Sequence, residues 1–105
     1  QGLLPEFEPL SRFPAIRRDL AILVDADVSF QRVRDCVSAA ASDLLRDIVL
    51  FDVYQGEKID SGLKSLALGL ILQASSHTLT DQEVDAAMQQ VITTLERDLG
   101  AQLRD

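Results

Sequence analysis

The chain contains 105 residues, with 10 lysines and arginines against 17 aspartates and glutamates and a formal net charge of −7. This length suits one domain, and a hydrophobic fraction of 47% supplies enough apolar material for a core. The presence of one cysteine excludes an internal disulfide framework, and with no leader it predicts a reducing, cytoplasmic setting. No apolar run approaches the ~20 residues that span a bilayer, and the negative charge argues against broad binding to phosphates.

The first half of the chain predicts a lead-in, a strand, a helix and a second strand. Three prolines disfavour helix in residues 1–16, which we interpret as an extended lead-in to one folded domain at residues 17–105. Residues 19–24 alternate as a strand with Leu20, Ile22 and Val24 on one face. Ser29 is a plausible N-cap for a helix whose apolar stripe extends to Leu44. In the next strand, residues 48–54, the alternation sets Val49, Phe51 and Val53 against Leu50, Asp52 and Tyr54.

The second half predicts a hairpin, a longer helix and a short final strand. Two glycines in residues 55–62 indicate the hairpin connection, and residues 64–73 form a strand with four leucines on its buried face. Thr80 and Glu83 have the spacing of a capping box, with an apolar stripe following from Val84. Gly100 offers a left-handed stop before a last strand at residues 101–104.

The order strand–helix–strand–strand–helix–strand predicts an α+β fold. Two amphipathic helices need one apolar surface, and each strand has one strongly apolar face. The economical arrangement is a ferredoxin-like βαββαβ sandwich, in which both helices cover one face of a four-stranded antiparallel sheet. The second face of the sheet is then left without a layer of its own.

The residues predicted on that second face are unusual for a solvated surface, because lysine and glutamate are absent from it. They are Asp19, Ala21, Leu23, Leu50, Asp52, Tyr54, Ser65, Ala67, Gly69, Ile71 and Gln73. Small side chains let a flat ligand approach the backbone, and a tyrosine ring can stack on a nucleobase. Asp52 could accept hydrogen bonds from that base. Coverage of this face by another domain explains the same pattern, and the sequence pattern leaves both alternatives open.

Four motifs in order resemble the ferredoxin-fold anticodon-binding domain, the C-terminal domain of the β subunit of bacterial phenylalanyl-tRNA synthetase. They are Phe-Pro-Ala-Ile-Arg-Arg-Asp-Leu-Ala (residues 13–21), Leu-Phe-Asp-Val-Tyr-Gln-Gly (50–56), Gly-Leu-Lys-Ser-Leu-Ala (62–67) and Thr-Leu-Thr-Asp-Gln-Glu-Val (78–84). The closing residues 100–104 also fit. One departure is His77, which stands where family members often carry arginine, so any anion contact made at that position in relatives is in doubt here.

The resemblance implies a noncatalytic module that grips the anticodon loop of phenylalanine tRNA and reads its first base, a guanine. Tyr54 would stack on the guanine, and Asp52 would accept from its two Watson–Crick donors in a bidentate, charge-assisted pair. Ala21 and Ser65 would line the same pocket, with Arg12, Arg17 and Arg18 as candidates for phosphate contacts. The resemblance also implies a parent enzyme that uses ATP and Mg²⁺ in a separate catalytic α subunit, within a heterotetramer. No cofactor or membrane contact is expected for this domain itself.

Other candidate sites in the sequence carry less chemistry. Cys36 flanks an apolar stripe with no clear base nearby, which favours a structural thiol. His77 with Asp81 and Ser75 or Ser76 can be drawn as a triad, but acids in a helix's first turn commonly serve capping. A lone histidine and a lone cysteine cannot supply a zinc site, and residues 56–62 lack the phosphate-loop pattern.

Two rival functions are considered for a chain of this fold, and the sequence argues against the second. One is a ligand-sensing or protein-interaction domain whose sheet face is covered by a partner, which predicts association through the sheet. The other is an acylphosphatase-like enzyme, which needs an arginine–asparagine pair, and the chain contains no asparagine.

Overall fold

The computed structural model describes residues 13–41, 43–56 and 59–104. The elements follow one another as β1 (Ile16–Asp25), α1 (Phe30–Ala40), β2 (Leu45–Tyr54), β3 (Leu63–Leu72), α2 (Asp81–Leu99) and β4 (Gln102–Leu103). The four strands form one antiparallel sheet in the order β2-β3-β1-β4. This is the ferredoxin-like arrangement, and it confirms the predicted fold class.

The two helices cover one side of the sheet because their apolar stripes and the strands' apolar faces bury each other. Val33 and Val37 of α1 and Val91 and Leu95 of α2 share one core with the sheet. Each of these four side chains is at most 1% exposed. On the sheet side the same core contains alternate residues of β1 and β3, namely Leu20, Ile22, Val24, Leu66, Leu68 and Leu70. The predicted period-two faces of these two strands are therefore confirmed.

The helix ends also follow the predicted local signals. The backbone N–H of Arg32 donates to Ser29 Oγ at 3.1 Å, so Ser29 is the N-cap of α1. The Thr80–Glu83 capping box opens α2, and Gly100 closes it in the left-handed conformation with φ 64°. Helix α1 ends earlier than its apolar stripe suggests, because Leu44 lies in the turn that follows Ala40.

The prediction was wrong for Leu50, which lies on the helix-covered side of the sheet, and for Val49 and Phe51, which lie on the other side. Leu50 is directly opposite Leu68, whereas Asp52 is opposite Ala67, so Phe51 is an extra residue between two paired positions. Such a β-bulge reverses which parity of residue points to which side. Directly opposite residues share a face, so Leu50 packs with the core, while Asp52 and Tyr54 remain on the opposite side. A strict alternation from residue 48 to 54 misses this reversal.

We call the side of the sheet that lacks helices the open face. It is formed by Arg17, Asp19, Ala21, Leu23, Val49, Phe51, Asp52, Tyr54, Ser65, Ala67, Gly69 and Ile71. Strand β1 begins at Ile16. The division into a lead-in at residues 1–16 and a domain at 17–105 stays a prediction, because residues 1–12 lie outside the described part.

Candidate anticodon-binding face

Two adjacent rows of the sheet bring together the four residues that the family resemblance assigned to the anticodon. In one row Asp52, Ala67 and Ala21 lie opposite one another on β2, β3 and β1. In the next row Tyr54 is opposite Ser65. The site therefore presents a carboxylate and an aromatic ring on neighbouring rows, with small side chains between them and β1.

Asp52 and Tyr54 are accessible to a ligand. The Asp52 side chain is exposed and forms no ion pair or hydrogen bond with the residues that the structure describes, so its acceptor oxygens face water. The Tyr54 residue is 39% exposed. Its ring lies against Gly56, where an added Cβ would come within 2.6 Å of Tyr54 Cζ. A side chain at position 56 would therefore displace the ring.

Arg104 belongs to this site, although the sequence did not single it out. Its backbone N–H donates to Ala21 O at 2.8 Å, which holds it beside β1. Its side chain crosses β1 and donates from Nη1 to Ser65 Oγ on β3 at 2.9 Å. Its Cζ also lies 6.0 Å from the centroid of the Tyr54 ring. The sequence predicts residue 104 within the last strand, whereas β4 ends at Leu103, and the partners of the Arg104 side chain lie on other strands.

Ser65 is consequently much less accessible than its neighbours on the open face. The residue is 6% exposed, even though it lies on the side without helices. The Arg104 guanidinium that bonds to its hydroxyl covers it. A ligand that reaches Ser65 must therefore meet Arg104 first.

The three arginines predicted to contact phosphate occupy different environments. Arg17 lies on the open face, where Nε donates to Asp19 Oδ1 at 2.8 Å and Cζ lies 5.2 Å from the Phe51 ring centroid. Arg18 is opposite Leu70, so it shares the helix-covered side. Arg12 lies outside the described residues. Arg17 is thus neutralised by Asp19 on this face, and Arg18 points away from it.

A glycine makes room for the Arg17 side chain. A Cβ at Gly69 would lie 2.8–2.9 Å from Nε, Nη2 and Cζ of Arg17. The guanidinium therefore passes over Gly69 on its way to Phe51, which is 50% exposed. This second aromatic residue reaches the open face because of the bulge.

His77 lies near the start of α2, in the layer of helices. Its Nε2 is 2.7 Å from Glu83 Oε2, and its Nδ1 is 2.8 Å from Ser76 Oγ. The acid beside the imidazole is thus Glu83, in place of Asp81 in the drawn triad. The backbone N–H of Thr80 donates to the same carboxylate at 3.0 Å. These hydrogen bonds, first that from Thr80 and then that from His77, lower the pKa of Glu83.

The geometry at His77 suits a cap better than a nucleophilic centre. Ser76 and His77 are both exposed, and Glu83 is already engaged in the capping box. Catalytic triads depend on a positioned hydroxyl and an oxyanion site next to it. The hydrogen bonds of His77 to Ser76 and Glu83 therefore hold the loop that precedes α2.

Cys36 packs half-buried against the core, and the acidic side chains that the structure describes form no metal-binding cluster. Burial raises the pKa of the half-buried Cys36 thiol, with Asp98 adding to the effect and Arg97 and Arg32 opposing it. No group of three or more histidine, cysteine, aspartate or glutamate residues that could hold a metal occurs among the described residues. Within the same residues, no helix has the length and apolarity to cross a membrane.

Comparison with known proteins gives one family. Residues 11–104 match the model of the "Ferredoxin-fold anticodon binding domain". The phenylalanine–tRNA ligase β subunit of Nitrosococcus oceani is 50% identical over 105 residues, which is 100% of this chain and 13% of that protein. The corresponding subunits of Pseudomonas fluorescens and Xanthomonas euvesicatoria are 52% and 48% identical over 104 residues, 99% of this chain in each case.

This chain spans about 13% of the length of the curated relatives it matches. The family match covers most of the chain, and it agrees with the βαββαβ fold. The chain therefore belongs to the ferredoxin-fold anticodon-binding domain family.

Proposed function

We propose that this chain is the anticodon-recognition module of a phenylalanyl-tRNA synthetase β subunit. In this proposal the open face binds the anticodon loop of phenylalanine tRNA and reads its first base, a guanine. The observation that carries the proposal is the placement of an unpaired carboxylate, Asp52, one row from the exposed ring of Tyr54. The relatives' names supply the amino acid and the enzyme class.

The chemistry of guanine matches these two side chains. Its Watson–Crick edge presents two adjacent donors, and a carboxylate presents two acceptor oxygens, so a charge-assisted bidentate pair can form. RNA recognition commonly stacks splayed loop bases on aromatic rings and reads their exposed edges. Ala21 lies in the row of Asp52 and Ser65 in the row of Tyr54, and larger side chains at either position would lift the base from the sheet.

The expected affinity is modest and concentrated at one nucleotide. A chain with a net charge of −7 gains little from nonspecific phosphate binding. Arg12 and Arg17 remain candidate phosphate contacts in this proposal, and Arg18 would reach phosphate only from the helix-covered side. Arg17 would contribute less than an unpaired arginine, because Asp19 already neutralises it.

The wider context is part of the same proposal. The parent synthetase would act in the cytoplasm as a heterotetramer of α and β subunits. ATP and Mg²⁺ would be used by the catalytic α subunit, which joins phenylalanine to the distant 3′ end of the tRNA. The module itself would act by binding, through the residues of the open face.

The test uses the complete synthetase and phenylalanine tRNAs that differ in the first anticodon base. Loss of a stacking partner in Tyr54→Ala should raise Kd about 5- to 150-fold, from ~1–3 kcal/mol per stacked base. Tyr54→Phe keeps the ring and should bind nearly as well as the wild type. Asp52→Ala and Asp52→Asn should both reduce the preference for guanine, since the amide turns a donor toward a donor.

Asp85→Ala is the matched control for the carboxylate variants. Asp85 is an exposed acid of α2. Its replacement by alanine removes the same charge in the helix layer, away from the open face. If Asp52→Ala discriminates among the first bases as well as Asp85→Ala does, the proposed reading of guanine is wrong.

A second candidate is favoured by one observation, the apolar side chains at the other end of the open face. Val49 and Phe51 are 38% and 50% exposed. A protein-interaction or ligand-sensing domain would bury them beneath a partner. Sizing chromatography of the chain with and without an anticodon stem-loop separates the two, because this candidate predicts association that does not depend on RNA.

A further inference from the structure

Arg104 is a cation that the described part of the protein leaves without a carboxylate partner, next to the candidate site. Two other exposed arginines are neutralised: Arg17 by Asp19 at 2.8 Å and Arg97 by Asp98 at 2.9 Å. Arg104 instead contacts a hydroxyl and an aromatic ring. In a chain of net charge −7, an arginine without such a partner beside a ligand site is available for an anionic or acceptor group.

The local contacts of Arg104 fix its position and use few of its hydrogen-bond donors. A guanidinium carries five N–H donors in a planar fork. One bonds Ser65 Oγ at 2.9 Å, and Cζ of the group lies over the Tyr54 ring, 6.0 Å from its centroid. The backbone N–H of Arg104 is anchored to Ala21 O, its side chain is held over the site by Ser65, and the residue is exposed, so its remaining donors are accessible to a ligand.

Arg104 and Asp52 offer opposite halves of a hydrogen-bonding pattern. Asp52 presents acceptors in the row Asp52–Ala67–Ala21, and Arg104 presents donors in the row of Tyr54 and Ser65. A guanine offers acceptors at O6 and N7 as well as its two donors, and arginine commonly pairs with those acceptors. The phosphate of the same nucleotide offers acceptor oxygens of the same kind.

We propose that Arg104 is a nucleotide-binding residue that donates to acceptor oxygen on the nucleotide stacked on Tyr54. This inference rests on the proposed function and extends it by adding the donor side of the site. In the free domain the guanidinium bonds Ser65, and in the complex it keeps its place over the row and turns its free N–H groups to the ligand. The oxygen belongs either to the guanine base or to its phosphate.

The experiment measures tRNA binding by the complete synthetase carrying Arg104→Ala, with Arg97→Ala as the matched control. Arg97 is an exposed arginine of α2, so its variant removes the same charge outside the open face. Filter binding is carried out over a salt series with tRNAs that carry guanine or adenine as the first anticodon base. We expect Arg104→Ala to raise Kd for the guanine tRNA at least tenfold and Arg97→Ala to change it less than twofold.

The two sources of the oxygen give different patterns, and either pattern supports the proposal. If Arg104 binds guanine O6, its loss weakens the guanine tRNA selectively, because adenine carries an amino group there, and leaves the salt slope unchanged. If it binds phosphate, both tRNAs weaken alike and the slope of log K against log salt falls by about 0.7. If Arg104→Ala does not fold, the same measurements are made on Arg104→Gln, which keeps a donor for Ser65.

An Arg104 variant that folds and binds both tRNAs within twofold of Arg97→Ala overturns the inference. Asp52→Ala in the same assay separates this failure from failure of the proposed function. If Asp52→Ala loses guanine preference while the Arg104 variant is normal, the role of Arg104 alone is refuted. If Asp52→Ala is normal as well, the proposed function falls with it.

Discussion

Replacement of Gly100 by alanine tests how much the left-handed turn at the end of α2 contributes to stability. Gly100 has φ 64° and ψ 23°, and its N–H donates to Glu96 O at 3.1 Å. No heavy atom lies within 4 Å of an added Cβ, so the penalty is confined to the backbone. A non-glycine residue in this conformation costs roughly 1–2 kcal/mol, offset by ~0.4–1 kcal/mol from a less flexible unfolded chain.

The expected net loss is therefore about 1 kcal/mol, which corresponds to a Tm decrease of roughly 4–8 °C for a domain of this size. Urea denaturation of the 105-residue chain measures it. Gly100→Asn should lose less, because asparagine tolerates this conformation. Gly69→Ala is the matched control, since Gly69 has no positive φ and a Cβ there only displaces the far end of Arg17. An alanine at position 100 that is neutral or stabilising would refute the reasoning.

Three further predictions concern the hydrophobic core, the stability of the domain at acidic pH and the Cys36 thiol. Leu68→Ala should lower the free energy of unfolding by ~2–5 kcal/mol, because Leu68 is fully buried; a urea-measured loss below that of an exposed-site variant would contradict this. The pKa of Glu83 is lowered first by the Thr80 backbone hydrogen bond. The stability that Glu83 contributes is therefore fully present above its ordinary pKa and is lost as pH falls through its lower pKa in the folded state. Glu83→Gln should therefore flatten that part of the acid denaturation curve. Burial raises the pKa of Cys36, so iodoacetamide at pH 8 should modify the native thiol more slowly than the unfolded one; equal rates would show that the thiol is not shielded.

Local signals in the sequence were sufficient for the fold. Alternation placed Leu20 and Leu68 in the core because β1 and β3 pair without interruption over ten residues each. The caps at Ser29 and Thr80 were predictable because a short polar side chain satisfies nearby N–H groups in the first turn. These features depend on residues within a few positions of each other.

The features that the sequence did not predict depend on contacts between strands that are distant in the chain. The bulge at Phe51 exists only in relation to β3, so no pattern within β2 reveals it, and Leu50 was assigned to the wrong face. Arg104 was missed for a similar reason, because its partners Ser65 and Tyr54 are brought beside it by the order of the strands. The resemblance named Asp52 and Tyr54 but carried no geometry for the cation next to them.

The bulge at Phe51 lies between two ends of β2 that face different sides of the sheet. Ile48 and Leu50 pack with the core, and if Phe51 were an ordinary paired residue of β2, strict alternation would turn Asp52 and Tyr54 to the same side. Substitutions that retune the exposed end can thus accumulate without disturbing the packing of the other end. Deletion of Phe51 would place Leu50 and Asp52 next to each other opposite Leu68 and Ala67, which is a regular ladder in which both ends keep their present surfaces. The extra residue therefore serves the open face itself, because it adds the exposed Phe51 ring beside Arg17 while both ends of the strand keep their surfaces.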